Sequence, residues 1–142
     1  MTQKNQTYRQ KTTKPWGWEI LLTPPNLPYA SKIIFVEAGK RLSLQYHDQK
    51  QETLTLLEGK GLLHLENQTG QLTALTMKPK TGYTINQNQK HRFEAISDCL
   101  ITEASTPQIG KTYRIEDDYN RENEELKNLQ TLKTQNKLEI RN

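Results

Sequence analysis

The sequence is poor in apolar residues and nearly free of cysteine. Hydrophobic residues make up 32% of its 142 residues, which suffices for one modest core but not for a second domain. No run of about 18 apolar residues occurs, so no membrane-spanning segment is expected. The single cysteine, Cys99, excludes an internal disulfide. The first residues, MTQKNQTYRQKTTK, lack the apolar stretch of a signal peptide, so we expect a cytoplasmic protein.

The net charge of +4 comes from one end of the chain. Four basic residues lie before the first acidic residue, Glu19, and the remaining 16 basic residues balance the 16 acidic ones. The folded part is therefore expected to be neutral, which argues against a nucleic-acid partner. The polar residues 1–13 are expected to form a flexible N-terminal arm.

Turn residues recur roughly every ten residues and separate short apolar or alternating segments, which is typical of an all-β sandwich or barrel. The segment ASKIIFVEAG is rich in β-branched residues and ends at Gly39. We predict one β-barrel over residues 14–121. The following residues 122–142 carry acids early and lysines later, which favours a short C-terminal helix or tail.

The segment between Gly39 and Gly59 carries the strongest chemical signal. Gln45 and His47 lie two positions apart on a predicted strand, so their side chains point to the same face. Glu52 begins the next strand and can return to that face across a short turn. A mixed set of nitrogen and oxygen ligands suits Zn²⁺, Fe²⁺, Mn²⁺, Ni²⁺ or Co²⁺. We therefore predict one divalent transition-metal ion, with His91 on a distant strand as a further ligand and zinc as the first metal to test.

These motifs resemble those of cupins. The spacing around Gln45, His47 and Glu52 resembles the first cupin motif, with glutamine in place of its first histidine, and TGYTINQNQKHRF resembles the second motif and ends in its histidine. KPWG, ASKIIFVEAGKRLSLQYH and RIEDDYNR together are similar to the cupin part of type II phosphomannose isomerases. That part also forms the C-terminal domain of bifunctional mannose-1-phosphate guanylyltransferase/mannose-6-phosphate isomerases. The resemblance covers residues 14–121 and implies a single cupin barrel of the jelly-roll type.

The chain departs from this family next to the metal motif. Where the family often reads R-x-E-H-W, this chain has Lys50, Glu52, Thr53 and Leu54. The histidine after the glutamate is absent. Lysine in place of arginine cannot form a bidentate fork onto a phosphate. The departures concern the substrate rather than the metal.

The resemblance implies a sugar-phosphate isomerase that interconverts mannose 6-phosphate and fructose 6-phosphate, or a close relative of that reaction. Arg121 and Lys50 are the candidate catalytic residues, and Lys14, Arg114 and Arg121 the candidate substrate-binding residues. If Arg114 binds no substrate, a salt bridge to Glu116 or Asp117 is expected. The general base stays open, because Glu52 is assigned to the metal and another carboxylate or a water can carry the proton.

Two other functions are compatible with the sequence. One is a non-catalytic metal-containing sugar-binding or regulatory cupin, and the other is an enzyme with different metal chemistry, since fold alone does not decide function. The expected partner is a small sugar phosphate, and the resemblance allows a homodimer because cupins often pair. Trp16 and Trp18 are expected to be packing residues.

Overall fold

The computed structural model describes residues 7–107 and 109–126. Twelve β-strands account for the regular structure of these residues. The strands are β1 (Gln10–Lys14), β2 (Gly17–Leu21), β3 (Ala30–Val36), β4 (Leu44–His47), β5 (Glu52–Glu58), β6 (Gly61–Glu66), β7 (Leu72–Thr76), β8 (Gly82–Ile85), β9 (His91–Ala95), β10 (Cys99–Ser105), β11 (Gly110–Glu116) and β12 (Glu124–Leu126). In the part of the chain described, no helix is long and apolar enough to cross a membrane.

The strands form two antiparallel sheets. The first sheet has the order β1-β2-β3-β10-β5-β8, and the second has the order β12-β11-β4-β9-β6-β7. The inward residues of both sheets alternate with outward ones, as in β3, where every second residue from Ala30 to Val36 is buried. The all-β prediction is thereby confirmed.

The core is a cluster of buried residues contributed by both sheets. Val36, Leu56 and Leu63 are fully buried there, together with Phe93. Gly61 lies so close to the ring of Phe93 that a Cβ atom would come within 2.6 Å of it, so the packing requires glycine at this position. Polar side chains are buried as well, among them His47, Glu52 and His91.

The structure differs from the sequence prediction on the N-terminal and the C-terminal side of the predicted barrel segment. Residues 10–13 are not part of a flexible arm, because they belong to β1 and pair in register with β2. Composition missed this strand because its side chains are largely exposed and backbone hydrogen bonds hold it. At the other end, Glu124–Leu126 form β12 on β11, where a helix or tail was predicted. Residues 1–6 of the arm and 127–142 of the tail lie outside the described residues.

Candidate metal centre and adjoining cavity

Three strands from both sheets bring the predicted metal ligands together. Gln45 and His47 lie on β4, and Glu52 and His91 are the first residues of β5 and β9. Gln45 and His91 are direct partners in the antiparallel pairing of β4 with β9. Glu52 approaches them from the opposite sheet. The cluster therefore forms where the two sheets face each other.

His47, Glu52 and His91 form a compact cluster whose ligand atoms all lie within 4.8 Å of one another. Oε1 of Glu52 is 3.0 Å from Nε2 of His91 and 3.5 Å from Nε2 of His47. All three residues are at most 4% exposed. Neither approach to Glu52 has the geometry of a hydrogen bond, so among the described residues both Nε2 atoms lack a hydrogen-bond partner. Such orphaned buried nitrogens call for another occupant at their centre.

The remaining ring nitrogens orient both imidazoles. Nδ1 of His91 donates to the carbonyl oxygen of Gln89 at 2.9 Å, and Nδ1 of His47 lies 2.8 Å from Oγ1 of Thr112. With Nδ1 protonated, each Nε2 presents its lone pair to the cluster, as is usual for histidines that bind metals. Burial lowers the pKa of His47, which favours the neutral ring that a metal ligand needs. The residues present therefore fit a divalent metal ion.

Gln45 lies beside this cluster rather than within it. Its side chain lines the same cavity, and its Oε1 accepts a hydrogen bond from Oγ of Ser43 at 2.8 Å. An amide oxygen has a second lone pair, so this bond does not exclude metal binding. Its role as the fourth ligand stays a prediction.

A buried Lys50 holds the outer oxygen of Glu52. Its Nζ is 3.2 Å from Oε2 of Glu52 and 3.0 Å from Oε2 of Glu103, and all three side chains are buried. Burial opposes ionisation of Glu52, but the charge of Lys50 holds its pKa well below the usual value. Burial and the charge of Glu52 raise the pKa of Glu103. Lys50, predicted as a catalytic residue, thus orients two carboxylates at the centre.

A cavity of about 610 Å³, open to solvent, leads to this centre. Gln45, His47 and Glu52 lie in its wall. An adjoining cavity of about 350 Å³ shares part of that wall and adds His91. All the predicted catalytic and substrate-binding residues line the larger cavity; they are Lys14, Lys50, Arg114 and Arg121. The structure therefore places every predicted site residue around one space.

The predicted substrate-binding arginines are engaged by carboxylates. Arg121 forms a fork with Asp117, with distances of 2.9 Å from Nε and 3.2 Å from Nη2. Nη2 of Arg114 lies 3.0 Å from Oε2 of Glu124. Arg114 thus pairs with Glu124 of β12 instead of the expected Glu116 or Asp117. Any anionic ligand must compete with these carboxylates.

Three residues of the cavity wall had no role in the sequence prediction. Lys32 and Glu103 are buried charged residues on β3 and β10, and Trp16 packs in the core while also lining the cavity. Lys32 alternates with Ile34, and Glu103 with Ile101. A charged residue at an inward position of a buried strand was therefore a usable signal.

The family histidine that Thr53 replaces would point away from the cavity. Thr53 follows the inward Glu52 on β5, and its Oγ1 lies 2.9 Å from Oγ1 of Thr84 on β8. Thr53 does not line either cavity. The absence of the family's histidine at position 53 therefore changes the outer face of the first sheet. Lys50, which stands in place of the family's arginine, lies inside the site.

Comparison with known proteins links the chain to one sequence family. The family model described as mannose-6-phosphate isomerase C-terminal matches residues 1–124. None of the curated proteins compared with the chain matches it.

Solved structures show the same fold. A deletion mutant of oxalate decarboxylase from Bacillus subtilis matches 81% of this chain and 33% of its own, with 13% identity and a TM-score of 0.68. The capsular polysaccharide assembling protein CapF from Staphylococcus aureus matches 84% of this chain and 34% of its own, with 11% identity and a TM-score of 0.62. The chain thus spans about a third of the length of these proteins. At such identities the likeness concerns the fold, and it confirms a cupin barrel.

Proposed function

Because the chain belongs to the mannose-6-phosphate isomerase C-terminal family, we propose that it is a metal-dependent isomerase that interconverts mannose 6-phosphate and fructose 6-phosphate. Family membership supports a sugar-related function, and the cavity supports the specific reaction. The wall of the larger cavity combines His47 and Glu52 of the metal cluster with cationic side chains, and the adjoining cavity adds His91. An aldose–ketose isomerisation of a sugar phosphate needs both features, one for the carbonyl oxygen and one for the phosphate.

In this proposal His47, Glu52 and His91 hold a divalent ion, with Gln45 as a fourth ligand. The bound ion supplies polarisation of the sugar carbonyl. Zinc is the first metal to test, and manganese stands beside it because oxalate decarboxylase of Bacillus subtilis has Mn(II) centres. Lys50 keeps Oε1 of Glu52 directed at the histidines by binding Oε2.

Glu103 is the proposed proton carrier. It is a buried carboxylate in the cavity wall, it is not one of the clustered ligands, and Lys50 fixes it at 3.0 Å. Its carboxylate takes the proton from C2 of the open-chain aldose and returns it to C1, while the hydroxyl proton moves from O2 to O1. Holding the base on a buried strand keeps it in place for both transfers.

A coupled assay for fructose 6-phosphate tests this proposal. The protein loaded in turn with Zn²⁺, Mn²⁺, Fe²⁺, Co²⁺ or Ni²⁺ should turn over mannose 6-phosphate with at least one metal. Glu103→Gln should keep the metal and lose turnover, because the amide cannot accept the proton. Absence of turnover with all five metals would contradict the proposal.

A non-catalytic sugar-binding cupin is the second candidate. The observation that favours it is the carboxylate pairing of Arg114 and Arg121, together with lysine at position 50 in place of the family's arginine. Binding of mannose 6-phosphate in calorimetry without turnover would support this candidate over the isomerase.

A further inference from the structure

Lys32 is a buried lysine in the wall of the cavity. It lies at an inward position of β3, is 8% exposed, and lines the same cavity as His47 and Glu52. Lysine is almost never buried unless its charge is compensated. The groups that face its ammonium therefore show whether the charge is already satisfied.

The compensation of Lys32 is incomplete. Its Nζ lies 3.5 Å from Oε2 of Glu19, and Nζ of Lys14 lies 3.6 Å from Oε1 of the same carboxylate. Both distances exceed the range of about 2.7–2.9 Å for a charge-assisted hydrogen bond. Two ammonium groups thus share one carboxylate and neither makes a short bond to it. Glu103, the partner of Lys32 in the pairing of β3 with β10, also attracts its charge but is itself bound by Lys50 at 3.0 Å.

The other cations of the cavity are better matched. Lys50 lies between two carboxylates, at 3.2 and 3.0 Å. Arg114 and Arg121 each have a carboxylate within 3.0 Å. The cation surplus of the cavity wall is therefore located at Lys14 and Lys32.

Trp16, another residue of the cavity wall, carries a buried neutral donor. It lies in the turn between β1 and β2, between Lys14 and Glu19 in sequence, and lines the cavity. Its buried Nε1 has no hydrogen-bond partner among residues 7–107 and 109–126. An indole N–H and an ammonium are donors only. Their complement is a group that only accepts, such as a phosphate or a carboxylate.

We propose that Lys32, with Lys14 beside it, binds the phosphate group of the sugar-phosphate ligand, and that the indole N–H of Trp16 donates to the same group. The inference rests on the proposed function and locates the phosphate within its site. It assigns the phosphate to the first sheet, to Lys14 among the three substrate-binding candidates of the sequence and to Lys32 beside it, rather than to Arg114 or Arg121. Arg121 then holds the chain through Asp117 rather than the ligand.

Calorimetry on the metal-loaded protein tests the inference, with mannose 6-phosphate and inorganic phosphate as probes. Lys32→Met should weaken binding of both probes by about tenfold or more, the effect of losing a charged hydrogen bond. Lys11→Met is the matched control. Lys11 is a residue of β1 whose ammonium lies over the ring of Trp18, and it does not line the cavity. Arg121→Ala should weaken binding less than Lys32→Met does. Unchanged affinity in Lys32→Met, or an equal loss in Lys11→Met, would overturn the inference.

Glu19→Gln tests the inference through a gain of affinity, which misfolding would not produce. Removing this carboxylate frees both lysines, so both probes should bind several-fold more tightly than to the wild type. Weaker or equal binding in a folded, metal-loaded Glu19→Gln protein would overturn the inference. So would absence of any binding of both probes to the wild type. The inference and the proposed function can be refuted separately. Ligand binding that depends on Lys32 but is not followed by turnover would refute only the isomerase. Turnover with a KM that is unchanged in Lys32→Met would refute only the phosphate site.

Discussion

Nε2 of His91 lies 3.0 Å from Oε1 of Glu52, and this contact joins the two sheets of the barrel. Glu52 begins β5 in the first sheet, and His91 begins β9 in the second. A metal ion held by both residues would therefore link the two sheets. Metal binding and the stability of the barrel should consequently be coupled.

Metal content is the first prediction. The purified chain should carry about one transition-metal ion, the content expected for one cluster of three or four ligands. The His47→Ala, His91→Ala double variant should lose most of it in elemental analysis. His64→Ala is the matched control, because His64 pairs with Glu94 at 2.9 Å and lines neither cavity. Full occupancy in the double variant would refute the assignment.

Chelation should lower the melting temperature. An ion present at a hundredfold excess over its dissociation constant stabilises the folded state by about 2.7 kcal/mol, which corresponds to a shift of several degrees. The melting temperature of the His47→Ala, His91→Ala variant should not respond to the chelator. An equal response of both proteins would show that the effect of the chelator does not pass through this cluster.

The sequence predicted the parts of the centre that depend on local geometry. Gln45 and His47 share a face because strand residues alternate, and Glu52 returns after a short turn. His91 is different, because its position depends on the pairing of β4 with β9, for which spacing contains no information. The sequence named His91 as a second imidazole from a distant strand, and the resemblance of its segment to the second cupin motif supported that choice, but its pairing with Gln45 was not predicted.

The contacts of Lys14 and Lys32 with Glu19 could not be predicted from the sequence for the same reason. Lys14, Glu19 and Lys32 lie on three successive strands, and their contact depends on the register of β1 with β2 and of β2 with β3. Alternation indicates which face a residue occupies but not which residue of a neighbouring strand it meets. The inward position of Lys32 could therefore be predicted from alternation, whereas the carboxylate of Glu19 that it shares with Lys14 could not.

Lys50→Met should destabilise the metal-free protein strongly. The substitution removes the cation between Glu52 and Glu103 and leaves two buried carboxylates facing each other. Breaking a buried ion pair by removing one partner costs about 3–5 kcal/mol. Denaturant unfolding measures the difference, and Lys78→Met, at an exposed position, should change stability little. Equal stability of the two variants would show that water or a proton already compensates these carboxylates.

Asp117 should make stability depend on pH in the acid range. Its Oδ2 accepts hydrogen bonds from the backbone N of Arg121 at 2.6 Å and from Nε of Arg121 at 2.9 Å. Burial raises the pKa of Asp117, but these contacts with Arg121 outweigh it and hold the pKa below its ordinary value of 3.8. The folded protein therefore binds this proton less readily than the unfolded chain does.

The sign of the effect follows from that order of pKa values. The stabilisation by the Asp117 carboxylate is fully present above its ordinary pKa and is lost as the pH falls through the lower pKa of the folded state. The melting temperature of Asp117→Asn should lie below that of the wild type at neutral pH, and the difference should shrink towards zero below about pH 4. Glu58→Gln, which removes a carboxylate at the exposed end of β5, is the matched control. A difference for Asp117→Asn that persists unchanged at low pH would show that the hydrogen-bond geometry, and not the charge, holds Arg121 in place.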